Sequence, residues 1–125
     1  MVDLGFPAHL SRVLGAAGVG LVMAAAAVVA PPSAHADAVA YLVNVTVRPG
    51  YDFADADAAL AYGDRLCDRL AHGGGYGELM AEVKADFHTR DEFQASYLIT
   101  QATNELCPAM IPQLRSSAAG YRPSN

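Results

Sequence analysis

Residues Asp55–Gly75 read DADAALAYGDRLCDRLAHGGG, and the spacing within that stretch decides the fold. Ala56, Ala59, Leu60, Gly63, Leu66, Cys67 and Leu70 recur at i, i+3, i+4, i+7, i+10, i+11 and i+14, a single helical stripe. The opposite face carries Asp57, Asp64, Arg65, Asp68 and Arg69. Asp55 is placed to cap the first turn, and Asp57 suits the positive end of the helix dipole. Gly73-Gly74-Gly75 closes the segment with residues that adopt the positive φ a helix stop needs. The helix predicted over Asp52–His72 therefore carries Cys67 on its apolar stripe.

The pattern continues downstream. Over Tyr76–Phe87 the apolar positions are Tyr76, Leu79, Met80, Val83 and Phe87, with Glu78, Glu82, Lys84 and Asp86 outward. Thr89-Arg90-Asp91-Glu92 has the form of a capping box, in which Thr89 and Glu92 satisfy each other's backbone donors. It predicts a helix over Arg90–Leu106 with Ala95, Leu98, Ile99, Ala102 and Leu106 inward and Phe93 and Tyr97 widening that face. Pro108 stops it one residue after Cys107. Residues 111–125 are rich in Ser, Ala, Gly and Pro and read as a mobile tail.

Upstream, Asp37–Val47 carries Val39, Leu42, Val43 and Val47 at near-helical spacing. Val43-Asn44-Val45-Thr46-Val47 also alternates like a strand. A lone strand has nothing to pair with in this chain, so a short helix ending before Arg48-Pro49-Gly50 is preferred.

Residues 1–36 read as an address label. Arg12 precedes the uncharged run Val13–Ala30, and Ala34-His35-Ala36 presents small residues at the −3 and −1 positions, predicting cleavage before Asp37. A membrane anchor is the competing reading, but the run is short and only moderately apolar. The rest, Asp37–Asn125, keeps the formal charge of −5, which argues against nucleic acid as a partner. A chain of about 90 residues builds a small core, and outside the cytoplasm such domains are commonly stapled. Cys67 and Cys107 are the only two cysteines and allow one intrachain pairing. A metal site is the other use of cysteine, but no Cys or His stands at C-x-x-C spacing. The expected architecture is all-α: a bundle of about four short helices in residues 37–110, locked by Cys67–Cys107.

These residues carry a resemblance. The run from DADAALAYGDRLCDRLAHGGG to FQASYLITQATNELCP, residues 93–108, resembles a mycobacterial secreted family, domain of unknown function 732. The shared features fall on Asp55, Asp57, Ala58, Gly63 (slightly offset), Cys67, Gly73–Gly75, Cys107 and Pro108, and the likeness covers about Ala38–Pro108. The β-branched run Val43–Val47 departs from the Phe-Leu and helix formers usual in that family. The resemblance implies a small, secreted, disulfide-bonded helical protein and no known activity.

Catalytic chemistry finds little purchase here. Asp52, Asp55 and Asp57 break the calcium-loop pattern at Ala58-Ala59-Leu60 and read as helix capping. His72 and His88 sit at helix boundaries, and Ser96 lies within a helix with no G-x-S-x-G elbow. Residues 73–78, GGGYGE, lack the Lys-Ser/Thr of a phosphate loop and read as a turn. Tyr76, Met80, Phe87, His88, Phe93 and Tyr97 are the candidate lining of an apolar cleft between the last two helices, with His or Tyr available to a haem iron. No catalytic residue, metal or resident cofactor is expected. The expected role is a non-enzymatic interaction protein, secreted or in the cell envelope, with an unknown protein partner and no membrane span after cleavage. The alternative is a carrier of a small apolar ligand, haem or lipid.

Overall fold

The computed structural model describes residues 33–124 together with Gly18 and Gly20, with side chains described from Asp37 onward among the helical residues. The leader expected over residues 1–36 thus lies outside the described residues, except that Ser33–Ala36 open the first helix. Five helices follow in order: α1 Ser33–Thr46, α2 Ala56–Ala71, α3 Tyr76–Asp86, α4 Glu92–Leu106 and α5 Ile111–Ala118, with a 3₁₀ turn over Pro108–Met110 before the last. The described residues contain no strand, and none of their helices is long and apolar enough to cross a membrane.

α4 is the central element, packed against α1, α2 and α3. Its inward residues Ala95, Leu98, Ile99 and Ala102 are fully buried, as their spacing predicts, and meet Leu66 and Leu70 of α2 and Leu79, Met80 and Val83 of α3 in one core. The buried Thr103 returns its hydroxyl to the Ile99 carbonyl at 2.7 Å, so it carries no unpaired group into the core. The Cys67–Cys107 disulfide joins the middle of α2 to the end of α4, with Cα atoms 5.9 Å apart.

Both α2 and α3 stop in the same way. After α2, Gly73 (φ +88°) donates to Leu70 O at 3.1 Å and Gly74 to Arg69 O at 2.8 Å. After α3, His88 (φ +49°) donates to Ala85 O at 3.3 Å and Thr89 to Lys84 O at 3.0 Å. Each is a paired closure that ties up the last free carbonyls. Glycine meets the left-handed geometry without strain, whereas His88 carries a Cβ there. His88→Gly is accordingly expected to stabilise the protein by about 0.5–1 kcal/mol, read as a rise in urea midpoint.

The capping box does not form. Asp91 is the N-cap of α4, its carboxylate accepting from Phe93 N at 2.9 Å and Gln94 N at 3.3 Å, and the helix starts at Glu92. Thr89 is already the closing residue of α3. The Glu92 carboxylate is drawn away to the Lys84 ammonium, a stronger charge-assisted partner than a backbone cap.

In α1 the helix is as expected but its facing is not. Tyr41 and Val45 enter the core and Leu42 of the expected stripe packs against it, whereas the stripe's other members, Val39, Val43 and Val47, point to solvent. Tyr41 wins because its hydroxyl finds a buried acceptor, the Ala59 carbonyl at 2.9 Å, so a large ring is buried with no polar atom unpaired. Gly63 makes room for that ring. A Cβ there would stand 2.7 Å from Tyr41 Cζ and 2.6 Å from Leu106 Cδ1. Leu106 can rotate away, but Tyr41 is held by its hydrogen bond. Gly63→Ala should therefore cost about 1–2 kcal/mol despite alanine's better helix propensity, checked by urea unfolding.

The loop between α1 and α2 contributes two rings that periodicity does not reveal. Tyr51 and Phe53 join Tyr62 and Phe87 in an aromatic cluster with centroids 5.1–6.1 Å apart. Tyr51 donates to Gln94 O and Tyr62 to Asp86 Oδ2, and burial pushes the Tyr51 hydroxyl up to about 12.

The folded region does not end at residue 110, and the expected mobile tail is corrected over Ile111–Ala118. Residues Ile111–Ala118 form α5, with Leu114 only 8% exposed in the core. Gln113 donates its side-chain amide to Leu70 O at the end of α2, and Ser117 Oγ accepts from Tyr76 N at 3.0 Å at the start of α3. Gly75 offers no side-chain cap, so α5 caps α3 across space. Tyr121 then packs edge-on to Tyr76, centroids 4.9 Å apart, and donates to Glu92 Oε2 at 2.7 Å.

Candidate functional site

The six residues proposed to line one cleft do not share one. Met80 is fully buried in the core, and Phe87 belongs to the aromatic cluster with Tyr51, Phe53 and Tyr62. Tyr76 pairs with Tyr121 on the α5 side. His88 is exposed in the closing turn of α3, so its backbone is spent on a helix stop. Phe93 and Tyr97 remain together, ring centroids 6.0 Å apart, at the start of α4. Tyr97 donates its hydroxyl to Asn44 O at 3.3 Å and lies under Arg48, so its phenol is already engaged. The physical reason is that α3 and α4 bury their facing apolar side chains, Leu79, Met80 and Val83 with Ala95, Leu98 and Ile99, in one core.

Two other surfaces stand out. The first lies on α1 and the first turn of α4. Val39, Val43, Val47 and Phe93 are 58%, 53%, 73% and 58% exposed, the large apolar side chains left in water among the described residues. Three of them repeat at i, i+4 and i+8, so they form a ridge along α1 and are not scattered singly. At its end, the Arg48 guanidinium lies 3.8 Å from the Tyr97 ring centroid and 4.9 Å from that of Phe93. Arg48 has no ion-pair partner among the described residues.

The second is a cleft of about 290 Å³ between α4 and α5, lined by Tyr76, Thr100, Asn104, Ile111, Leu114, Arg115 and Ala118. It is more enclosed than the dents around Lys84 and around Asp64. Of the six residues proposed from sequence, only Tyr76 lines it. The sequence does not reveal it, because Ile111, Leu114, Arg115 and Ala118 of its wall lie in a Ser- and Ala-rich segment whose composition suggests a tail.

A polar latch holds the C-terminal segment beside these elements. Lys84 pairs with Glu92, which also accepts from Tyr121. The Lys84 hydrogen bond, and then that of Tyr121, hold the Glu92 carboxyl below its ordinary range. A depressed folded value means the latch stabilises fully above the ordinary glutamate range and is lost as pH falls through the folded value. The Glu92→Gln variant should thus lose less stability than the parent on acidification, measured by urea midpoints at neutral and acidic pH. No group of three or more His, Cys, Asp or Glu among the described residues is arranged to hold a metal ion.

A family model for a protein of unknown function (DUF732) matches residues 35–109, more than half of the chain, from the first turn of α1 to the 3₁₀ turn. No curated protein and no solved structure matches the chain. With this match added to the helix–disulfide–helix pattern, the chain belongs to the DUF732 family of proteins of unknown function.

Proposed function

We propose that this is an exported, non-enzymatic interaction protein that engages a protein partner through the outer face of α1 and the first turn of α4. The observation that carries the reading is the ridge Val39, Val43, Val47 with Phe93 beside it, apolar surface left in water by a domain with little to spare. Arg48 at the end of the ridge, without an ion-pair partner among the described residues, adds a charge requirement. A guanidinium stacked on aromatic rings is pre-oriented for a carboxylate. The matching partner segment therefore carries apolar side chains with an Asp or Glu placed against Arg48.

Export is supported by the cleavage pattern at Ala34-His35-Ala36 and by the disulfide, which persists in oxidising compartments. Cleavage before Asp37 would remove the first turn of α1 and spare the core, whose first member is Tyr41. The test has two parts. Mass spectrometry of protein recovered from its host's medium should show a chain starting at Asp37; an intact leader would defeat the export reading. Cross-linking in the host should then give a partner that is lost in the Val43→Glu/Val47→Glu variant, both changes being on exposed positions. Cross-links unaffected by that variant would defeat the interaction face.

The carrier reading stands second, supported by the cleft between α4 and α5 and not by the residues first proposed for it.

A further inference from the structure

We propose that the α4–α5 cleft binds a small carboxylate with an apolar body, of the size of a medium-chain fatty acid. This inference rests on the carrier reading and is independent of the α1 interaction face.

The cleft is built in two tiers. Ile111, Leu114 and Ala118 stand at i, i+3 and i+7 on α5 and, with the Tyr76 ring, give it an apolar floor. Thr100 and Asn104 stand at i and i+4 on the facing side of α4, and Arg115 rises at the α5 edge, giving a polar rim. None of these three rim side chains hydrogen-bonds or pairs with another side chain among the described residues. An apolar floor with a few converging polar groups is the usual make-up of a small-molecule site, and about 290 Å³ suits a ligand of about ten heavy atoms.

Charge selects the class. Arg65 and Arg69 are committed to Glu78, Glu82 and Asp86, and Lys84 to Glu92. Arg115 has no ion-pair partner among the described residues, so its planar fork is open to a two-oxygen anion. The larger dents suit such a ligand less well. That around Asp64 is lined by Asp37, Asp64 and Glu105, which repel an anion, and that around Lys84, whose ammonium is already neutralised, sets Arg90 beside only the small apolar side chains Ala81 and Ala85, with no floor for a hydrocarbon body. A single guanidinium beside an apolar floor matches one carboxylate with a hydrocarbon tail, the hydroxyl of Thr100 and the amide of Asn104 completing the head-group contacts.

The test is an NMR titration of the disulfide-intact protein isolated from its host, with octanoate and, in parallel, 1-octanol. Octanoate should give saturable shifts at the amides of Thr100, Asn104, Arg115 and Ala118. The exposed change Arg115→Gln should weaken octanoate about tenfold while leaving octanol unchanged. Ala118→Phe, which fills the cleft, should abolish both. If octanol binds as tightly as octanoate and Arg115→Gln changes neither, the carboxylate assignment fails and the carrier reading survives. If neither compound moves these amides, or the shifts fall on Val39–Val47, both fail.

Discussion

Replacing Cys67 and Cys107 together by alanine is expected to lower the unfolding free energy by about 4 kcal/mol, the largest effect of any conservative change in this protein. The two cysteines are 40 residues apart, and the bridge removes the corresponding loop freedom from the unfolded chain. A domain of this size has a total stability of about 5–10 kcal/mol, so the loss takes a large share of it. The melting temperature should fall by roughly 15–25 °C. Both cysteines sit at the margin of the core, so little of the loss comes from a cavity. Urea unfolding of the oxidised parent, the reduced parent and the double variant separates the terms. The reduced parent and the variant should agree closely, both far below the oxidised protein. A difference from the oxidised protein of less than about 1 kcal/mol would show that helix packing alone holds the fold.

Ending the chain after Met110 is expected to cost about 3–4 kcal/mol, nearly as much as the disulfide. The cut removes the Leu114 side chain from the core, worth about 2 kcal/mol, and the Tyr121 ring from Tyr76, worth about 1 kcal/mol. It also uncovers the Leu70 carbonyl and the Tyr76 amide, which Gln113 and Ser117 serve. These losses fall on one side of α3, so Leu79 and Met80 should gain hydrogen-exchange rates while α1 stays protected. Leu114→Ala in the full chain separates packing from capping and should give about half the loss or more. A truncated protein with an unchanged urea midpoint would return residues 111–125 to the status of a tail. The same truncation removes the floor of the α4–α5 cleft, so octanoate binding should vanish with it.

The helices of the middle of the chain were legible because their apolar residues are large, regularly spaced and close together in sequence. Leu66, Leu70, Leu79, Val83, Leu98 and Ile99 all bury as their period requires. α1 was legible as a helix but not in its facing, since Val39, Val43 and Val47 look more apolar than Tyr41 until Ala59 supplies an acceptor for the phenol. Tyr51 and Phe53 were not legible, because a loop has no period and their packing depends on Tyr62 and Phe87 arriving from two other helices.

From local order alone, then, the sequence determined the helical class, the positions of α2, α3 and α4, and the one pairing that two cysteines permit. These follow from periodicity, capping and counting, all of which act over a turn or two of chain. The remainder came from contacts between segments distant in the chain. Those contacts turned the valine ridge outward, made α5 from a Ser- and Ala-rich tail, scattered the six candidate cleft residues and opened a different cleft between α4 and α5. The reason is that each of these depends on partners far away in sequence. Gln113 needs Leu70, Ser117 needs Tyr76 and Tyr121 needs Glu92, and no pattern within a single segment encodes such a meeting.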